Sequence, residues 1–164
     1  MRYADEFYEK DLDKVALCSF ATEIQNPVLW SHYASEHRGF AVGYRAQTKG
    51  ELDSLPAFPV IYRTRRAPID PLGPHPPEAM LNVVRTKGKA WAYEGEWRYV
   101  HPAGGARAYP VPANSILEVC LGARMPLWHR RRVISAARAL PDKPNIVQAY
   151  FDEHRFTLRF RDVR

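Results

Sequence analysis

Proline placement divides this chain more firmly than any other feature. Residues 63–77 read RTRRAPIDPLGPHPP, five prolines in fifteen residues. Each proline removes a backbone donor and fixes φ, so such a stretch fits neither a helix interior nor a central strand and is expected as an exposed loop. Elsewhere prolines mark helix boundaries. Pro27 follows Asn26, a good capping residue, and Gly39 lies beyond the last periodic position, so NPVLWSHYASEHRG reads as a helix with both start and stop signals. Pro126 opens a second helix, PLWHRRRVISAARAL, which stops at Pro141 and Pro144.

Between these markers the apolar spacing predicts the remaining elements. Tyr3 to Lys14 reads as a charged, helical lead-in, and KVALCSFA as a strand buried on both faces. GFAVGYR is a second strand and FPVIY a third. Leu81, Val84, Gly88 and Trp91 recur at helical spacing and predict a helix beyond the proline loop. Residues 96–111, EWRYVHPAGGARAYPV, read as a β-hairpin, and SILEVCLG as a further strand. IVQAYFD and RFTLRFRD, separated by Glu153 and His154, suit an antiparallel pair. The expected fold is α+β: a mixed, mainly antiparallel sheet packed by about three helices, in a single domain spanning 1–164.

At 46% hydrophobic and 12% aromatic residues the chain can bury a core, while a mean hydropathy of −0.44 points to a soluble protein. No window approaches the roughly 18 apolar residues of a membrane span, and the polar start MRYADEFYEKDLDK does not resemble a signal peptide. A cytoplasmic protein with no membrane partner is expected. Cys18 and Cys120 lie in apolar strand-like runs and read as small buried thiols. With no Cys-x-x-Cys or His-x-x-x-His spacing, no metal site is expected. Gly-x-Gly-x-x-Gly, Walker-type and Gly-x-Ser-x-Gly patterns are missing too.

Charge is distributed unevenly. Residues 1–60 hold six Lys/Arg against nine Asp/Glu, a balance of −3, whereas residues 61–164 hold eighteen against nine, a balance of +9. Such a basic region suits phosphate-bearing partners, nucleic acid or a dinucleotide, or only keeps the protein in solution.

Three groups of residues could carry chemistry. On a helical wheel Leu29, Trp30, Tyr33, Ala34 and His37 share one arc, which makes Tyr33 and His37 core residues, His37 with one ring nitrogen bonded to backbone; His32 faces the other way and could act on a ligand. In the strand after residue 95, Glu96 and Arg98 point to one side, either as an ion pair or as an anion clamp beside a charge-stabilising carboxylate. Lys87 and Trp91, a helical turn apart, could wall the same site, although Trp91 alone reads as core. Arg130, Arg131 and Arg132 on the last helix, with Arg63, Arg65 and Arg66 at the proline loop, could grip a phosphate backbone.

The combination NPVLWSHYASEHRGFAVGY, then Val60 and Tyr62, then Lys87 with WAYEGEWR, then the Ile-x-x-Val-x-x-Gly strand at 116–122 resembles bacterial domain-of-unknown-function family 2971. That resemblance implies a distant relationship to the ADP-ribosyltransferase superfamily and a toxin or phage-defence setting. It further implies NAD as substrate for modifying a macromolecule, Glu96 as the carboxylate that stabilises an oxocarbenium-like centre, and no metal. Arg98 and Lys87 would hold phosphates, and His32 and Tyr33 would orient ribose or nicotinamide. Relative to that family, the resemblance implies a chain truncated at its N-terminus. The alternative is a non-catalytic basic module that binds nucleic acid or an acidic protein.

Overall fold

A computed structural model describes residues 16–45, 57–66, 82–101 and 114–163. The fold is α+β, with strand pairing mostly antiparallel. Two compact units share the chain, each drawn from two segments: Met1–Thr22 with Leu55–Tyr109, and Glu23–Ser54 with Pro110–Arg164.

The second unit is built on a four-stranded sheet in the order β2-β7-β8-β9. Its strands are β2 (Phe40–Tyr44), β7 (Ile116–Leu121), β8 (Asn145–Phe151) and β9 (Leu158–Asp162). β7 and β8 run parallel and are joined by helix α2 (Leu127–Ala139), the kind of crossover that parallel neighbours need. These two central strands are covered on both faces. Val119, Leu121 and Ile146 turn towards Val133, Ile134 and Ala137 of α2. Cys120, Val147 and Ala149, with Leu158 of β9, turn the other way, towards Trp30 of helix α1 (Pro27–Tyr33). Gln148, the polar exception in β8, is buried and donates to the carbonyls of Leu121, Gly122 and Ala149, so its amide closes the end of the β7 ladder.

Helix α1 starts as its sequence predicts, with Asn26 Oδ1 accepting from the Val28 N–H at 3.0 Å. It stops sooner than Gly39 suggests. Ser35, Glu36 and His37 all have positive φ (47°, 54° and 68°), a left-handed run that side chains with a Cβ seldom adopt. Hydrogen bonds on either side hold it there. Gly39 N–H returns to the Ala34 carbonyl at 2.8 Å, Gly122 N–H donates to the Gly39 carbonyl at 2.9 Å, and Arg124 N–H donates to the His37 carbonyl at 2.9 Å. Gly122 permits this approach because a Cβ there would lie 2.2 Å from the His37 carbonyl oxygen.

In the first unit a three-stranded antiparallel sheet, in the order β1-β6-β3, comprises β1 (Ala16–Ala21), β6 (Glu96–His101) and β3 (Ala57–Pro59). A separate parallel pair joins β4 (Ile61–Arg63) to β5 (Thr86–Gly88). Thus FPVIY is not one strand: Pro59, on an edge strand where its missing donor does no harm, ends β3, and the chain changes partner after Val60. The helix expected over 81–91 is corrected as well. A helical turn at 82–85 gives way to β5, and a 3-10 helix (Lys89–Glu94) follows, because the parallel pairing of Thr86, Lys87 and Gly88 with β4 outweighs a weak helical stripe containing glycine. β1 is mostly exposed, Cys18 included, so the reading of KVALCSFA as buried on both faces fails; its continuous apolar run lies on an outer strand of the sheet. The lead-in helix, most of the proline loop and the second hairpin strand lie outside the described residues. No helix among those described is long and apolar enough to cross a membrane.

Replacing Gly122 with Ala forces the 37–39 backbone off β7 and is expected to cost about 3 kcal/mol in urea unfolding. Gly88→Ala, whose new Cβ would meet only Trp91 at 3.7 Å, should cost far less.

Candidate functional site

β-strand alternation sets Glu96 and Arg98 on one side of β6, and antiparallel pairing sets Ser19 directly opposite Arg98. Gly95 then supplies the positive φ (52°) that turns the 3-10 helix into β6, and this turn brings Glu94 to the same place. Lys87 arrives from β5. A dense polar cluster results: Glu96 Oε1 accepts from Ser19 Oγ at 2.6 Å and Arg98 Nε at 2.7 Å, while Oε2 accepts from Lys87 Nζ at 2.8 Å and Arg98 Nη2 at 3.3 Å. Lys87 also donates to Glu94, and Arg98 Nη1 to the Val84 carbonyl at 2.6 Å. Even the Glu96 backbone is engaged: its N–H donates to the Tyr62 hydroxyl at 2.8 Å, and its carbonyl accepts from Val60.

Glu94 and Glu96 are buried, Glu96 with 5% of its surface exposed, while Lys87 and Arg98 keep an edge in solvent. Burial alone would raise the Glu96 carboxyl, but hydrogen bonds from Arg98, Lys87 and Ser19 outweigh it and hold the group at about 2. Burial likewise opposes the charge on Lys87, and the two carboxylates that it bonds raise it overall. The cluster sets two basic side chains, Lys87 and Arg98, against two acidic ones, Glu94 and Glu96.

Among the expected site residues, the structure brings together Lys87, Trp91, Glu96 and Arg98. The Lys87 ammonium sits 5.1 Å from the Trp91 ring centre, a cation–π contact. Trp91 is 41% exposed, which corrects its reading as core: it covers the lysine instead of filling an interior. The contact does not come from a shared helix, since Lys87 belongs to a strand and Trp91 to the 3-10 helix. Arg63, Arg65 and Arg66 are exposed in this same unit.

His32 and Tyr33 belong to the other unit. His32 is exposed, its ring 6.1 Å from that of Tyr33. Tyr33 is 66% exposed, so its placement in the core is corrected. The wheel extrapolated a helix through His37, whereas the helix ends at Tyr33. His37 is buried as expected, but its Nε2 lies 3.0 Å from the Ser31 hydroxyl and not against backbone, and its Nδ1 has no hydrogen-bond partner among the described residues. Burial, then the nearby Arg124 charge, lowers its pKa and keeps the ring neutral. On α2, Arg131 and Arg132 are exposed and Arg130 is half-buried.

Sequence reading missed Ser19, Tyr62 and Glu94 as members of the cluster. Only Glu94 left a signal, the Glu-Gly-Glu spacing in which glycine can fold two carboxylates towards one cation. No protein-family model, curated protein or solved structure matches this chain.

Glu96→Gln leaves Arg98 and Lys87 without their shared anion and should cost about 3 kcal/mol of stability. Because the Glu96 pKa is depressed in the fold, its contribution is complete above the unfolded carboxylate value and is lost as pH falls from about 4.5 to about 2. Urea midpoints measured across that window should fall less steeply for the variant than for the parent.

Proposed function

We propose that this chain is a non-catalytic basic module that binds nucleic acid through its arginine-bearing surfaces. The carrying observation is the placement of cations in the second unit. Strand alternation turns Arg159 and Arg161 of β9 to the side of the sheet that α2 covers, opposite Tyr150 and Gln148 of β8. Arg161 lies 5.7 Å from the Tyr150 ring centre. α2 itself exposes Arg131, Arg132 and Arg138, and Trp128, one helical turn before Arg131 and Arg132, is 64% exposed. Arginines interleaved with accessible aromatic rings are the chemistry of phosphate gripping and base stacking. In the first unit, Arg63, Arg65 and Arg66 add an exposed basic segment.

The cluster around Glu96 favours this reading over the enzymatic one. A carboxylate has about four acceptor positions, and those of Glu96 are taken by Ser19, Lys87 and both donors of Arg98. Stabilising a ribose centre of NAD would require it to release one of these partners. Lys87 and Arg98 are committed to carboxylates, and are correspondingly poor phosphate ligands. Incubation with labelled NAD, comparing the parent with Glu96→Gln, tests the enzymatic alternative: label transfer by the parent alone would restore it.

Binding to a fluorescent oligonucleotide should weaken steeply with salt. Arg131→Glu with Arg132→Glu should reduce affinity at least tenfold at low salt and lower the log–log salt slope by roughly 0.7 to 0.9 for each phosphate that the protein no longer neutralises. A flat salt response, or a slope unchanged in the double variant, removes the proposal.

A further inference from the structure

The turn between β8 and β9 presents an aromatic ring that no packing requirement of the fold explains. Phe156 is fully exposed. Its loop is nevertheless tightly organised: Asp152 Oδ1 accepts from the N–H groups of His154 at 2.8 Å and Arg155 at 3.0 Å, and its other oxygen pairs with Arg159. Thr157 N–H donates to the Arg155 carbonyl at 2.8 Å, and Asp152 N–H to the Thr157 carbonyl at 3.1 Å. Gln25 anchors the far side, its carbonyl accepting from Leu158 N–H at 2.9 Å and from Thr157 Oγ1 at 3.1 Å. A large apolar side chain on a hydrogen-bonded loop costs little entropy to engage, because its backbone is already ordered.

Beside the ring lies an open cleft of about 370 Å³ lined by Gln25, Asp152, Arg155, Phe156, Thr157 and Arg159 among others. We infer that Phe156 and this cleft form a subsite for one unstacked base of single-stranded nucleic acid: the ring stacks on the base, Arg155 and the terminal nitrogens of Arg159, whose Nε alone holds Asp152, face the adjoining phosphates, and the Gln25 and Thr157 side of the cleft meets the polar base edge. The inference rests on the nucleic-acid reading and names the form of nucleic acid taken. Polar walls and two guanidinium groups fit a nucleotide better than an acyl chain or an apolar peptide, and the Asp152 carboxylate, bonded by its own loop, is not presented to an anion. Bases in a duplex are paired and stacked on one another, so a protruding ring finds a free face only on an unpaired strand. Arg159 borders the cleft and also belongs to the basic side of the sheet, which makes the two surfaces continuous.

The test measures fluorescence anisotropy of the full chain with a labelled oligothymidine and with a duplex of equal length. Phe156→Ala should weaken single-strand binding roughly tenfold, the loss of one stacked base. Duplex binding and the salt slope should stay unchanged, since no charge is removed, and Phe156→Tyr should restore single-strand affinity. Parent-like single-strand binding by Phe156→Ala overturns the subsite; if the Arg131/Arg132 double variant still loses affinity, the basic-module reading survives that failure. An equal loss on both probes also overturns it, as does a Phe156-dependent association with anionic vesicles without any effect on oligonucleotides. If the parent binds neither probe at low salt, the reading and the subsite fall together.

Discussion

A carboxylate taken out of water is costly unless every acceptor position finds a donor, and the first unit is arranged around meeting that demand for Glu96. Ser19 comes from β1, Lys87 from β5, Arg98 from β6 itself, and Tyr62 of β4 meets the backbone N–H of the same residue. Strands of both sheets in this unit therefore converge on one acid. Hydrophobic burial does less here: Val60 and Val84 are buried, whereas Leu17 and Trp97 are exposed. The polar cluster specifies how these short strands register, at the cost of desolvating four charges.

The second unit solves the same problem by different means. Its central strands are covered on both faces, and its irregular feature, the left-handed stretch at 35–37, is held by hydrogen bonds to the end of β7. Local strain of that kind persists only where surrounding structure over-determines it. Here the surroundings are a glycine that admits the backbone, and a histidine kept neutral by burial, wedged between the Ser31 hydroxyl and the Phe151 ring, whose centre lies 4.9 Å away. His37 thus reads as a structural residue.

These arrangements shape the functional conclusion. Saturated carboxylates stabilise a fold and resist acting as catalysts, because a substrate hydroxyl must displace a partner whose own charge would then be left buried. Exposed guanidinium groups on a well-packed sheet and helix behave differently: they lose little by meeting phosphate, and the protein beneath them needs no rearrangement. The regional excess of positive charge, visible as +9 over residues 61–164, is resolved by the fold into particular exposed side chains, Arg131, Arg132 and Arg138 on α2 and Arg159 and Arg161 on β9.

What the amino-acid order determined by itself is local. Alternation put Glu96 and Arg98 on one side of a strand; Asn26 and Pro27 started α1 where expected; Pro126 and Pro141 bracketed α2; and SILEVCLG, IVQAYFD and RFTLRFRD became β7, β8 and β9, the last two antiparallel. Each depends on capping chemistry, a fixed φ or a side-chain period, all of which act within a few residues. The decisions left to tertiary structure are those in which distant segments compete for the same backbone. Parallel pairing with β4 converted a helical stripe into β5 and so delivered Lys87 to Glu96, 34 residues of separation lay between Glu96 and the Tyr62 that binds it, and the close approach to Gly122 ended α1 early, exposing Tyr33. Backbone groups must be paired wherever they are buried, and the partner that is nearest in space is not marked in the sequence.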